Sequence, residues 1–194
     1  MNTTDRQKDI VTAAFTLISG QGIQELTIKK IALAIGVSEP AIYRHFDSKA
    51  AILEAILEEM LAARNGTMAA IRAEKGEPPA MLARFFGEQA HLFTTNPSLT
   101  IMLFPEDIFR NNTDLQERIN AMMTETRVFI QNLLKAGITD GKFRREADPE
   151  SMSLMLIGGF RMLVSSWRLQ SHDFNLEKKT KQFIASVLPL IVRK

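Results

Sequence analysis

The sequence predicts an all-α protein. Apolar residues recur three and four apart along almost the whole chain, glycine and proline gather in short groups between those runs, and no stretch alternates with the period of two that a half-buried strand requires. At 194 residues, with 45% hydrophobic and 24% charged side chains, the chain can bury one sizeable core or carry a small head on a larger body. Its composition is that of a globular protein, not a disordered one.

The elements follow in order. Ile10, Ala14, Leu17 and Ile18 share one helical face, and the glycines at Gly20 and Gly22 close that helix. Leu26 precedes a capping Thr27 and packs on Ile31 as a hydrophobic staple, while Ile28, Ile31, Ala32 and Ile35 form a buried stripe. Gly36 ends this helix where a positive φ is cheap, and Ser38 caps the next within two residues. Helices joined by so tight a turn cross at a large angle, the helix-turn-helix geometry. A fourth helix runs from about residue 48 to 74. Further breaks fall at "KGEPP", "TTNPS", "LFPED", "AGITDG" and "ADPES", with a helical period through Leu115, Ile119, Met122, Thr126, Phe129 and Leu133 between them. Asp148 caps and Pro149 opens a helix bearing Met152, Met155, Leu156, Phe160, Leu163 and Trp167. Gly158 and Gly159 inside it cost roughly 1 kcal/mol each relative to alanine, which points to close approach by another helix. The last helix offers Phe183, Ile184, Val187, Leu188 and Ile191, with Pro189 kinking or ending it. Two such helices from each of two chains would pair as a symmetric four-helix interface.

The third helix leaves a distinctive face over. Val37, Ile42 and Phe46 hold it to the head, so Glu39, Pro40, Tyr43 and Arg44 point elsewhere. A short capped helix of this kind suits the major groove, with Thr27, Lys29, Tyr43, His45 and Lys49 as flanking phosphate donors. Helix pairs split by a glycine also occur in proteins that never meet DNA. The charge balance does not decide the matter, because Lys and Arg outnumber Asp and Glu by only 24 to 22 in the whole chain. Through residue 50 the head holds six basic against five acidic residues, so DNA affinity would depend on where charges sit.

The residue identities go further. "GVSEPAIYRHFDSK" resembles the recognition segment of the TetR family of bacterial transcriptional regulators: Gly36, Val37, Ser38, Ile42, Tyr43, His45, Phe46, Ser48 and Lys49 all fall on the family's pattern. Weaker resemblance extends from the first helix to about residue 62 and returns over "AGITDGKFRREADPESMSLMLIGGFRMLVSSW", whereas residues 76 to 112 carry no family pattern. The resemblance implies a three-helix DNA-binding head at residues 1–50, a linking fourth helix and a helical ligand-binding and dimerisation body at residues 51–194. It further implies a homodimer on a double-stranded inverted-repeat operator, with repression as the family's default. Tyr43, His45 and Lys49 match its phosphate-holding positions. Glu39, Pro40, Ala41 and Arg44 occupy its variable, base-facing positions. Arg44 is suited to guanine, Pro40 or Ala41 to a thymine methyl, and Glu39 either to a cytosine amino group or simply to the helix dipole.

The body is rich in Met and Phe between Phe85 and Phe160, which fits a pocket for a small apolar or aromatic inducer lined by residues such as Phe86, Met102, Met123, Phe129, Met155 and Phe160. Taken singly, each of these reads as core in preference to a ligand contact. His91 is a candidate polar contact to the ligand, although a lone helical histidine is commonly a surface or satisfied core residue. Three scattered histidines and the absence of cysteine leave no metal-binding spacing, and no cofactor is expected. There is no phosphate-cradling glycine loop and no G-x-S-x-G turn, and Glu88, Glu106 and Asp107 read as solvated carboxylates, so catalysis is not expected. The N-terminus has no signal-peptide core and no run reaches the length of a membrane span, an expectation of a cytoplasmic protein without a membrane partner. The same residues also admit a dimer of this fold acting mainly on a protein partner.

Overall fold

The computed structural model describes residues 4–74, 76–97, 99–100 and 113–193. Among them lie eight α-helices: α1 Asp5–Gln21, α2 Ile28–Ala34, α3 Glu39–Tyr43, α4 Lys49–Ala73, α5 Pro78–Thr95, α6 Thr113–Thr139, α7 Pro149–Leu169 and α8 Leu176–Ile191. A 3-10 turn spans Ile23–Glu25, and pairing outside helices is limited, among the described residues, to an isolated antiparallel bridge between Phe143 and Val192. The chain divides into two compact units, Met1–Ala63 with Pro97–Gln116, and Arg64–Asn96 with Glu117–Lys194. Residues 50 and 51, where the sequence suggested a boundary, lie inside α4.

In the first unit α1 buries Ile10, Val11, Ala14, Phe15 and Ile18. Val11 and Phe15 join the expected face, and Leu17 is only half-buried. Thr4 caps this helix in a reciprocal box with Gln7, and Gly22 at φ +84 closes it through its N–H on the Ile18 carbonyl, 2.8 Å. The Thr27 hydroxyl accepts the Lys30 N–H at 3.1 Å and starts α2, which buries Ile28, Ile31 and Ala32. Ser48 does the same for α4 by accepting from the Ala51 N–H, 3.1 Å. α4 then buries Ile52, Leu53, Ile56, Leu57 and Met60, a stripe of helical period.

In the second unit α5 and α8 run antiparallel. The end of α5 meets the start of α8, where Glu177 accepts from Thr94 at 2.8 Å and bonds the His91 ring at 3.0 Å. At the opposite end Lys142 bridges them, its ammonium on Glu77 at 2.7 Å and its carbonyl accepting the Arg193 N–H at 2.9 Å. α7 and α8 form a hairpin whose turn places Ser171 and His172 at positive φ, with the His172 ring on Trp167, 4.2 Å between centroids. Asp148 caps α7 by accepting the Ser151 N–H at 2.8 Å, and Pro149 opens it. Pro189 sits in the last turn of α8, which ends two residues later.

The expected break at "AGITDG" holds, since α6 ends at Thr139 and Gly141 takes φ +68; Gly137 within it is glycine because the buried Phe143 ring lies against its Cα, where a Cβ would overlap the ring. Gly159 is indeed approached closely, but by the Phe183 ring of α8 in the same chain, whereas Gly158 has no neighbour within 4 Å. Gly137→Ala should therefore cost about 1–3 kcal/mol through overpacking. Gly87→Ala, on the exposed face of α5 with nothing within 4 Å, should gain about 0.5–1 kcal/mol. Urea unfolding of the two variants checks the opposite signs.

Candidate nucleic-acid interface and aromatic body site

The head's exposed face follows from how α2 stops. Gly36 at φ +69 follows the C-cap Ile35; the Gly36 N–H bonds the Leu33 carbonyl at 3.3 Å and the Val37 N–H bonds the Ala32 carbonyl at 2.9 Å, the Schellman pair. That closure turns the chain into α3 within two residues. Ser38 takes the N-cap position with extended backbone, yet its hydroxyl makes no capping bond, which leaves it pointing to no helix N–H. Pro40 lies in the first turn. Ile42 and Phe46 are buried and fix the helix to the head, so Glu39, Pro40, Tyr43 and Arg44 are exposed, Tyr43 at 50%. Ala41 is half-buried behind them.

The flanking donors surround this helix. Thr27 and Lys29 are exposed at the start of α2. His45 is half-buried, and its carbonyl accepts from the Gln7 side chain at 3.3 Å, tying the end of α3 to α1. Lys49, also half-buried, donates to the Ile23 carbonyl at 3.4 Å, which restrains its stem beside the 3-10 turn. Leu33, 80% exposed on α2, is an outward apolar residue that the helical period did not single out.

The second unit gathers a different set. Five phenylalanines form a continuous buried chain: Phe129 against Phe85 at 5.3 Å, Phe85 edge-on to Phe86 at 5.3 Å, Phe86 to Phe160 at 5.4 Å, and Phe160 stacked on Phe93 at 6.0 Å. The Arg72 guanidinium lies over Phe129, 5.2 Å from its centroid. Of the expected ligand residues, Phe86, Phe129 and Phe160 belong to this chain. Met123 and Met155 lie on the outside, 37% and 38% exposed, and Met102 lies outside the described residues. His91 is exposed beside Glu177, whose carboxyl is held below its ordinary pKa by the hydrogen bonds from Thr94 first and His91 second.

Arg64, Gln89 and Thr180 are among the polar residues that interrupt the buried stripes. Arg64 is 3% exposed on α4; its guanidinium donates to the Met122 carbonyl at 2.6 Å, to Glu125 at 2.6 Å and to Asn65 at 2.7 Å. Gln89 on α5 and Thr180 on α8 are 8% and 1% exposed. The sequence signal for all three was legible as a polar residue occupying an apolar slot of a helical row.

A tight helix-turn-helix with an exposed, proline-started second helix, joined to a helical unit with an aromatic interior, defines a DNA-binding regulator with a separate body. The chain belongs to the TetR family: residues 10–56 match the model of bacterial regulatory proteins of the tetR family, and residues 58–192 match that of the YsiA-like protein C-terminal region. It is 24% identical over 186 residues to the HTH-type transcriptional repressor KstR2 of Rhodococcus jostii, covering 94% of this chain and 89% of that one. With the fatty acid metabolism regulator protein of Bacillus subtilis it shares 25% identity over 183 residues, covering 94% and 92%. The solved structure of the regulator FadR from Bacillus subtilis in complex with stearoyl-CoA superposes with a TM-score of 0.76 at 23% identity, over 93% of this chain and 96% of that one. The protein is thus a TetR-family transcriptional regulator, and the relatives named above are regulators rather than enzymes. Among the described residues no helix is long and apolar enough to cross a membrane.

The Arg64 cluster makes its own prediction. Glu125→Gln removes the one charged partner of a buried guanidinium, whereas Arg64→Met replaces that guanidinium by apolar volume and returns a largely exposed Glu125 to water. Thermal unfolding should show the glutamine variant as the less stable of the two, by about 1–3 kcal/mol.

Proposed function

We propose that this protein is a homodimeric repressor that holds an inverted-repeat operator and leaves it when a long-chain acyl thioester of the acyl-coenzyme A kind occupies its body. The observation that carries this is the buried phenylalanine chain across α5, α6 and α7, an apolar and aromatic interior in a family whose members regulate transcription. Support for the ligand class comes from two relatives, one named a fatty acid metabolism regulator and one crystallised with stearoyl-CoA.

In this reading residues 1–50 read DNA and residues 51–194 sense and dimerise. Thr27, Lys29, Ser38, Tyr43, His45 and Lys49 hold phosphates; Glu39, Pro40, Ala41 and Arg44 face base edges. Dimerisation uses the outward row Leu154, Met155, Gly158 and Met162 of α7, with Leu190 of α8, which are exposed in the single chain. The bare Gly158 lets a second α7 approach. A two-fold pair presents its recognition helices one DNA turn apart, about 34–36 Å. The ligand loosens DNA only to the extent that it binds the DNA-incompetent state better.

Three measurements test the scheme. On its preferred duplex, Arg44→Ala should cost about 1–3 kcal/mol and relax one or two base pairs, while Lys49→Ala should weaken every sequence alike and lower the salt slope by about 1 per head. An unchanged preference in Arg44→Ala removes that residue from base readout. Met162→Glu should sediment as a helical monomer with weakened operator affinity; an intact dimer contradicts the interface. Stearoyl-CoA should raise the apparent Kd for operator by roughly 5–150-fold in fluorescence anisotropy. A response confined to small hydrophilic compounds contradicts the ligand class.

A further inference from the structure

Gln89 and Thr180 stand out among the buried polar groups of the body. Buried polar atoms almost always find a hydrogen-bond partner, because leaving one without costs its full desolvation penalty. The Gln89 side-chain nitrogen and the Thr180 hydroxyl have none. Both side chains are more than nine-tenths buried, and both take apolar slots: Gln89 in the row Leu82, Phe85, Phe86, Phe93 of α5, and Thr180 in the row Leu176, Ile184 of α8.

The helix register places the two groups in the same layer. α5 and α8 are antiparallel, with Glu177 bonded to Thr94 and His91. One turn further along α8 is Thr180, and one turn back along α5 is the segment of Gln89 and Ala90. The Phe160 ring contacts both Phe86 and Phe93, so it spans that same turn of α5. The two orphan polar groups therefore fall at the same level of the α5–α8 pair, beside the turn of α5 that meets the Phe160 ring.

We propose that Gln89 and Thr180 form the polar end of the ligand site and donate hydrogen bonds to a neutral carbonyl, the thioester C=O of the acyl ligand proposed above. This deepens that reading and rests on it. An amide N–H and a hydroxyl are two neutral donors, enough for one carbonyl oxygen with two lone pairs. An ionised carboxylate does not suit them, because two neutral donors supply it no counter-charge and Glu177 sits one turn away on α8. The aromatic chain then takes the hydrocarbon. A site built this way discriminates by its own unpaired donors: a ligand lacking the acceptor leaves them buried and unsatisfied.

The test compares stearoyl-CoA with S-octadecyl-CoA, in which a methylene replaces the carbonyl, by calorimetric titration of the full-length protein. Wild type should bind the thioester on the order of tenfold more tightly, the size of one or two net hydrogen bonds. The near-isosteric variant Gln89→Met/Thr180→Val should bind both ligands equally, and its ligand-free melting temperature should match or exceed wild type, because two unpaired groups are gone. Thr180→Ser, which keeps the hydroxyl, should retain the preference. Equal binding of both ligands by wild type overturns the assignment, and that comparison needs no variant. So does a preference that survives in the double variant. Wild type that binds neither ligand overturns the acyl-thioester reading and this one with it.

Discussion

The stop of α2 is the constraint on which the head depends. Two N–H groups, those of Gly36 and Val37, turn back onto the carbonyls of Leu33 and Ala32, and only a residue free to adopt φ +69 can close that loop without strain. From this follow the brevity of the turn, the crossing of α2 and α3, and the burial of Ile42 and Phe46. The exposure of Glu39, Pro40, Tyr43 and Arg44 is what remains once those two anchors are buried. That exposed face is thus a by-product of packing, and its residues are free to vary because the fold does not use them.

The body follows the opposite logic. There, function is written into positions the fold would prefer to make apolar. Arg64, Gln89 and Thr180 each occupy a buried slot, but Arg64 is saturated by Met122, Glu125 and Asn65, whereas an atom of each of the other two has no partner. A satisfied buried charge reads as structure, and an unsatisfied buried donor reads as a place prepared for an acceptor. The same contrast separates Gly137 and Gly159, whose missing Cβ atoms are filled by Phe143 and Phe183 of their own chain, from Gly158, which faces outward in a row of exposed apolar residues.

Much of this was legible in the sequence because local chemistry decides it. Thr27, Gly36, Asp148 and Pro149 announce helix ends through their own hydrogen bonds and backbone preferences, and each does so here. What periodicity could not supply was the neighbour. Within the "AGITDG" break, Gly141 turns the chain at φ +68, but the reason for Gly137 is a ring six residues on. Met123 and Met155 share helical rows with core residues but fall on the outer edge of those rows, and no count of spacing distinguishes an inward edge from an outward one. His91 stood out as polar in an apolar run, while the buried polar residue of that run was Gln89, two positions earlier. The five-phenylalanine chain required knowing that α5, α6 and α7 meet.

Paired reading of DNA by two copies of α3 is tested by selection of bound duplexes from random DNA with the wild-type protein. An enriched inverted repeat is expected, with half-sites about 10–10.5 base pairs apart centre to centre, or a multiple of that spacing. Enrichment of a solitary half-site, or recovery of no preferred sequence at all, would contradict it.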